Sequence, residues 1–354
     1  MTRPGFRLAL LATLLALVVV LLGAYTRLTH AGLGCPDWPG CYGFIMVPTG
    51  DAQLAHAQLH FPDAPVEAEK GWSEMIHRYF AGALALTILA LALQAWRRRH
   101  EAGQPLKLPL LIWSVVLTQA AFGMLTVTLK LWPQVVVTHL LGGFATLGLL
   151  LVLTLRLSVS DSRHHDYPLR LRRAALLGLL LVVAQIALGG WVSANYAAMA
   201  CTDLPTCQGQ LWPDADFANG FHLSQHIGPN YLGGQLDSEA RTAIHLTHRI
   251  GALLVLISLS TLAWRLRRAG LGGLAICLMV ALCVQIGLGI SNVLFHLPLA
   301  VALGHNAGGA VLLLSMVLIN YRLATPAWQR ATRRAGSPGR LFGVINPDAV
   351  RRMR

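Results

Sequence analysis

The chain has 354 residues, of which 55% are hydrophobic and only 12% charged, against about 25% charged in an ordinary soluble domain, so a water-soluble enzyme is excluded. The formal net charge of +13 would suggest nucleic acid in a soluble protein. Here most basic residues fall in short runs between apolar stretches, a pattern that reports membrane orientation and points to no nucleic-acid partner. The six cysteines are too few for a disulfide scaffold.

In chain order, uncharged apolar runs occupy residues 8–26, 79–96, 108–129, 131–155, 174–202, 250–264 and 269–321. Arg3 and Arg7 ahead of the first run also suit a cleaved leader, but the sequence from Gly23 onward has a partner much later in the chain, which a discarded segment has no reason to have. The last run, as one helix, would reach about 80 Å against a hydrocarbon core of about 30 Å, so it must fold back. The break belongs at His296-Leu297-Pro298, because proline cannot continue a hydrogen-bonded ladder and disfavours helix in its predecessor. Trp132-Pro133 holds the equivalent place between the third and fourth spans. The expected fold is an all-α integral membrane protein with eight transmembrane helices.

Most Lys and Arg lie at the N-terminus, in segments 97–107, 156–173 and 265–268, and from Arg322 onward. The positive-inside rule puts these in the cytoplasm, with both termini inside a bacterial cytoplasmic membrane and two long loops, about 27–73 and 193–241, outside. Most acidic residues lie on that outer side.

An internal repeat organises the chain. An offset of 166 maps Gly23 to Gly189, Cys35 to Cys201, Pro39 to Pro205, Cys41 to Cys207, Gln119 to Gln285, Gly123 to Gly289, His139 to His305 and Gly142-Gly143 to Gly308-Gly309; an offset of 171 maps His77-Arg78 to His248-Arg249. Four spans per half give both halves the same orientation, so two tandem four-helix bundles related by a pseudo-two-fold axis along the membrane normal are expected. The boundaries are 1–157 for the first bundle, 158–173 for a cytoplasmic linker, 174–322 for the second bundle and 323–354 for a basic tail. The tail's arginines suit anionic lipid and its Gly336-Ser-Pro-Gly339 stretch suits disorder.

Of the 14 histidines, those in loops, such as His30, His56, His60, His164, His165, His222 and His226, read as solvated side chains. His77, His139, His248 and His305 lie near the outer ends of spans at repeat-equivalent positions. Two imidazoles facing each other across a bundle can bind a flat metal macrocycle axially; a proton relay would not need the same pair twice, and zinc or copper would lack a third ligand other than Glu74 or His245. Three residues before the first-half ligand stands Glu74, and at the matching place in the second half stands His245. Residues three apart share a helix face, so a carboxylate beside one ligand pair alone suggests that the first half performs chemistry and the second holds a resident group. A helix-capping role for Glu74 competes with this. Arg78 and Arg249, directly after the ligands, suit carboxylates of the bound group or interfacial snorkelling. Cys35 with Cys41, and Cys201 with Cys207, are candidate loop disulfides on the oxidising side or redox-active thiols. Cys277 and Cys283 point apart on one helix and read as small buried residues. Gly142, Gly143, Gly308 and Gly309 suit close helix packing or a macrocycle lying flat on the helix.

The run Gly23-Ala-Tyr-Thr-Arg-Leu-Thr-His-Ala-Gly-Leu-Gly-Cys35-Pro-Asp-Trp-Pro-Gly-Cys41, with Glu74-Met-Ile-His77-Arg78, His139, His248-Arg249 and His305, resembles the haem A synthase family (CtaA/Cox15) over nearly the whole chain before the tail. The resemblance implies oxidation of the C8 methyl of haem O to the formyl group of haem A, on the route to cytochrome oxidase. It implies the four histidines as axial ligands, with Glu74, His77 and His139 on the substrate side and His248 and His305 holding a haem b cofactor; Arg78, Arg249 and His245 line the cofactor-binding positions. Expected partners are haem O, a neighbouring haem O synthase (a farnesyltransferase), a redox partner and the lipid bilayer, and a homo-oligomer is compatible with the sequence. A di-haem electron-transfer cytochrome and a secondary transporter built from parallel repeats are the competing readings.

Overall fold

The computed structural model describes residues 2–101, 103–158 and 167–324. Among these residues the chain forms ten helices, α1 (Phe6–Leu28), α2 (Asp51–His60), α3 (Ala68–Arg97), α4 (Lys107–Thr128), α5 (Pro133–Leu157), α6 (Leu169–Ala194), α7 (Phe217–Gly220), α8 (Ser238–Arg268), α9 (Gly272–Leu294) and α10 (Leu299–Leu323). All but α2 and α7 are long and apolar enough to cross a membrane, which gives the eight expected spans. The protein is therefore an all-α, multi-pass membrane protein. The expected tail, and His164 and His165 of the linker, lie outside the described residues.

The long final run does fold back where proline demands it. Helix α9 ends at Leu294 and α10 starts after Pro298; in the first half α4 ends at Thr128 and Pro133 is the first residue of α5. Four helices close with the same turn. His30, Lys130, Tyr196 and His296 have φ of 55°, 47°, 55° and 57°, and the next residue donates its N–H back five positions to the last turn: Ala31 to Thr26, Leu131 to Thr126, Ala197 to Val192 and Leu297 to Asn292, all at 2.8–2.9 Å. This left-handed cap is ordinarily a glycine's place. Here it recurs without one, and His30 pairs with Tyr196, and Lys130 with His296, at the repeat offset.

Two helices start well before the apolar runs that announce them. Helices α3 and α8 begin about three turns earlier than residues 79 and 250, because charged residues interrupt an apolar run without interrupting a helix, and Glu69 and Glu239 in the first turns favour helix starts there. Conversely, α6 stops at Ala194, since Asn195 and Tyr196 form its cap.

Helix α1 packs on α3 and α5, and α4 packs on both α3 and α5; α6 packs on α8 and α10, and α9 packs on both α8 and α10. The two sets meet through α5 against α6 and α10, and α1 against α10. One continuous core runs through both, with Ile112, Leu147, Leu150, Leu259, Leu262 and Met316 fully buried. Cys277 and Cys283 are not buried as their small apolar character suggested. Both thiols lie exposed on the outside of α9, a surface that lipid tails satisfy as well as protein does.

Replacing Leu147 with Ala should lower the melting temperature of the detergent-solubilised protein by an amount corresponding to on the order of 1–3 kcal/mol of lost packing. Leu86→Ala, at a side chain 69% exposed on the lipid side, should leave it unchanged.

Candidate functional site

Helices α3 and α5 carry His77 and His139, and α8 and α10 carry His248 and His305. Within each half the two histidines lie inside electrostatic reach of one another, and all four side chains are half-buried. Each imidazole rests on a glycine of a neighbouring helix. A Cβ added at Gly23 of α1, Gly123 of α4, Gly189 of α6 or Gly289 of α9 would stand 3.0, 3.4, 3.3 and 3.1 Å from Cε1 of His77, His139, His248 and His305 respectively. Any larger residue there would displace the ring. The Nδ1 atoms of His77, His139 and His305 are buried and without a hydrogen-bond partner, which is expensive for a polar atom in hydrocarbon. Rings seated against glycines and carrying unspent nitrogen atoms suit metal ligation. Among the described residues no three His, Cys, Asp or Glu side chains converge, so the donors come in pairs.

The sequence reading aligned Gly23, Gly123 and Gln119 with their repeat partners without giving them a task. The structure gives one to each. The glycines make room for the histidines, and Gln119 and Gln285 press into Gly142 and Gly308, where a Cβ would collide with the glutamine amides. Gly142 and Gly308 therefore make room for a glutamine of a neighbouring helix, a form of the close helix packing expected of them. The available signal was the recurrence of an intramembrane polar residue opposite a recurring glycine.

Glu74 is the seventh residue of α3, so it does not cap the helix. Its carboxylate is buried; Oε2 accepts the N–H of Cys35 at 3.0 Å, and Oε1 pairs with Nη2 of Arg78 at 2.5 Å. Arg78 extends this network into the loop between α1 and α3. Its Nη1 donates to the carbonyls of Asp37 at 3.0 Å, Pro39 at 3.2 Å and Gly40. Thus one guanidinium both neutralises Glu74 and holds down the disulfide turn above it.

The second half repeats the clamp with different chemistry. Arg249 donates to the carbonyls of Thr206 at 2.8 Å and Cys201 at 3.0 Å. His245, buried at the place of Glu74, has Nδ1 3.0 Å from the Ala197 carbonyl. A carboxylate that receives a loop N–H in one half is replaced by an imidazole facing a loop carbonyl in the other. Both arginines therefore point at loop backbone, a use that neither carboxylate binding nor snorkelling anticipated.

The loops they hold are themselves repeats. Cys35 is bonded to Cys41 and Cys201 to Cys207. Asp37 accepts the N–H groups of Tyr42 and Gly43 at 2.6 and 2.8 Å, and Asp203 accepts those of Gln208 and Gly209 at 2.7 and 3.0 Å. The Thr206 hydroxyl and these backbone donors hold the Asp203 carboxyl below its usual range. Its support of the turn is thus complete above about pH 4 and fades as the pH falls below that. The second loop also reaches over the first bundle: Trp132 donates to the Gln225 carbonyl at 3.2 Å, Gln134 to that of Leu223 at 2.8 Å, and Tyr231 N–H to that of Lys130 at 3.0 Å. Between the halves, Arg27 donates to the Tyr196 hydroxyl at 2.7 Å and the Ser193 carbonyl at 2.5 Å.

Residues 6–317 match the model of the COX15-CtaA family, described as cytochrome oxidase assembly protein. The chain belongs to this family. Similar proteins include Heme A synthase of Shewanella oneidensis, 49% identical over 90% of this chain and 95% of that protein. Heme A synthase of Methylobacterium radiotolerans is 31% identical over 95% of this chain and 90% of that protein, and that of Rhodopseudomonas palustris is 29% identical over 93% and 92%. The match of this family's model runs from the start of α1 into α10 and takes in both disulfide loops.

Arg78→Leu should strand the buried Glu74 charge and cost about 3–5 kcal/mol, seen as a lowered melting temperature together with new protease cleavage within residues 29–67. Arg249→Leu strands no carboxylate. It should open residues 198–216 to protease with a smaller thermal shift.

Proposed function

We propose that this chain is a haem A synthase, converting the C8 methyl of haem O to the formyl group of haem A in a bacterial cytoplasmic membrane, with both termini in the cytoplasm. The first half, residues 1–157, takes haem O as substrate between His77 and His139; the second, residues 174–322, keeps a haem b as resident cofactor between His248 and His305. The residues fit such groups: glycines seat all four rings at repeat-equivalent positions, and three of the four imidazoles have an unspent buried nitrogen. When bound, the cofactor supplies one-electron redox chemistry beside the substrate.

The observation that carries the assignment of roles is the buried carboxylate of Glu74 one turn from His77, where the otherwise matching half has His245. Methyl oxidation to an aldehyde proceeds through two hydroxylations to a geminal diol, which loses water. With water supplying the oxygen, each hydroxylation removes two electrons and two protons, and positive charge builds at the methyl carbon as the electrons leave. A carboxylate fixed by Arg78 and by the Cys35 N–H stabilises that charge without needing to reorganise and offers an oxygen to a departing proton. His245, with its Nδ1 engaged by the Ala197 carbonyl, has no such role. Arg78 and Arg249 act by holding the disulfide loops over the outer, propionate-bearing edge of each haem. The bilayer location suits the isoprenoid tail of haem O, delivered through lipid or from a neighbouring haem O synthase, and a separate redox partner takes up the electrons.

Co-expression with a haem O synthase, followed by extraction and mass analysis of membrane pigments, tests this. The wild-type chain should accumulate haem A, and Glu74→Gln should cut it by about 10²-fold or more while leaving the absorption band of the resident haem in place. Unchanged haem A in that variant would overturn the role given to Glu74. His248→Ala should remove the resident band.

A further inference from the structure

The two halves differ at a second place besides Glu74 and His245. One turn before Gly189 on α6 stands Gln185, and its side-chain Nε2 lies 2.9 Å from the backbone carbonyl of His248 and 3.1 Å from Nδ1 of the same residue. Its Oε1 fills a notch at Gly251, three residues after His248, where a Cβ would collide with it. The repeat offsets put Val19 at the place of Gln185 and Phe80 at the place of Gly251. Val19 has no side-chain donor to offer, and Nδ1 of His77 has no hydrogen-bond partner. The other two histidines do not differ in this way, since Gln119 and Gln285, with their notches at Gly142 and Gly308, are present in both halves.

We propose that Gln185, seated against Gly251, is a positioning residue that immobilises His248 as a permanent haem ligand, and that Val19 and Phe80 leave His77 without that tether so that the first half can take up and release its haem. The inference rests on the assignment of the substrate to the first half and the resident haem to the second. Its physical basis is that a group fixing the orientation of a ligating imidazole commonly changes affinity by 10–100-fold. A synthase needs that difference between its halves. Its substrate must leave as product in every cycle, whereas its cofactor must stay, and two identical bis-histidine pockets would hold both alike. Gln185 donates to the His248 backbone carbonyl and packs its amide against the ring, so it restrains the backbone and the ring of His248 together.

The test follows transfer of haem from the purified, full-length protein in detergent to excess apomyoglobin, with the ferric low-spin electron paramagnetic resonance signal recorded alongside. Gln185→Leu, and separately Gly251→Leu, which evicts the amide without deleting it, should release the second-half haem about tenfold or more faster and broaden its signal, while the outer loops stay resistant to protease. Release as slow as wild type with an unbroadened signal would overturn the proposal and leave the haem assignment standing. A wild-type protein that binds no haem would instead overturn the assignment and this proposal with it. Should the leucine variants fail to fold, the reciprocal change decides: Val19→Gln with Phe80→Gly should slow release of haem O from the first half by a similar factor, and an unchanged rate there overturns the proposal.

Discussion

The molecule depends on how a bilayer treats a polar side chain. With no water to complete its hydrogen bonds, an imidazole within a span must find its partner on another helix or on something the helices hold between them. Each of the four central histidines is met by a glycine of a neighbouring helix, and the glycine lets the two backbones approach while keeping the ring edge clear. That contact recurs four times from two copies of one design. It fixes which helices must be neighbours, and hence why α1 sits against α3, α4 against α5, α6 against α8 and α9 against α10.

Much of this was legible beforehand, and the exceptions have identifiable causes. The eight spans, the fold-back at Pro298, the repeat, the four histidines and both cysteine pairs could be read because each leaves a one-dimensional trace: a run of apolar residues, a proline, a fixed spacing. The early starts of α3 and α8 were missed because charge ends an apolar run while leaving helix propensity intact. The use of Arg78 and Arg249 was missed for a different reason. Their partners are backbone carbonyls some forty residues away, and backbone has no sequence signature. Cys277 and Cys283 were misjudged because small apolar residues suit a lipid-facing surface as well as a packed core, and composition cannot separate the two.

Duplication followed by divergence explains the pattern of what is shared and what is not. The Schellman turns, the disulfide loops with their aspartate-anchored corners, the arginine clamps and the glycine–histidine contacts are common to both halves and serve the architecture. The differences concentrate within one turn of a ligand: Glu74 against His245, and Val19 with Phe80 against Gln185 with Gly251. A pocket that reacts and a pocket that retains can thus share one scaffold, because the residues that distinguish them are few and lie close to the bound group.

The second outer loop does not stay with the bundle it belongs to. By taking the tops of α4 and α5 as its seat through Trp132, Gln134 and the Lys130 carbonyl, it makes the first four helices part of its own binding surface. Hybrids assembled from two relatives by crossing over between α5 and α6 would therefore inherit a mismatched roof, even where every transmembrane contact is preserved. Successful exchange of halves requires the segment around residues 223–231 to travel with the helices it covers.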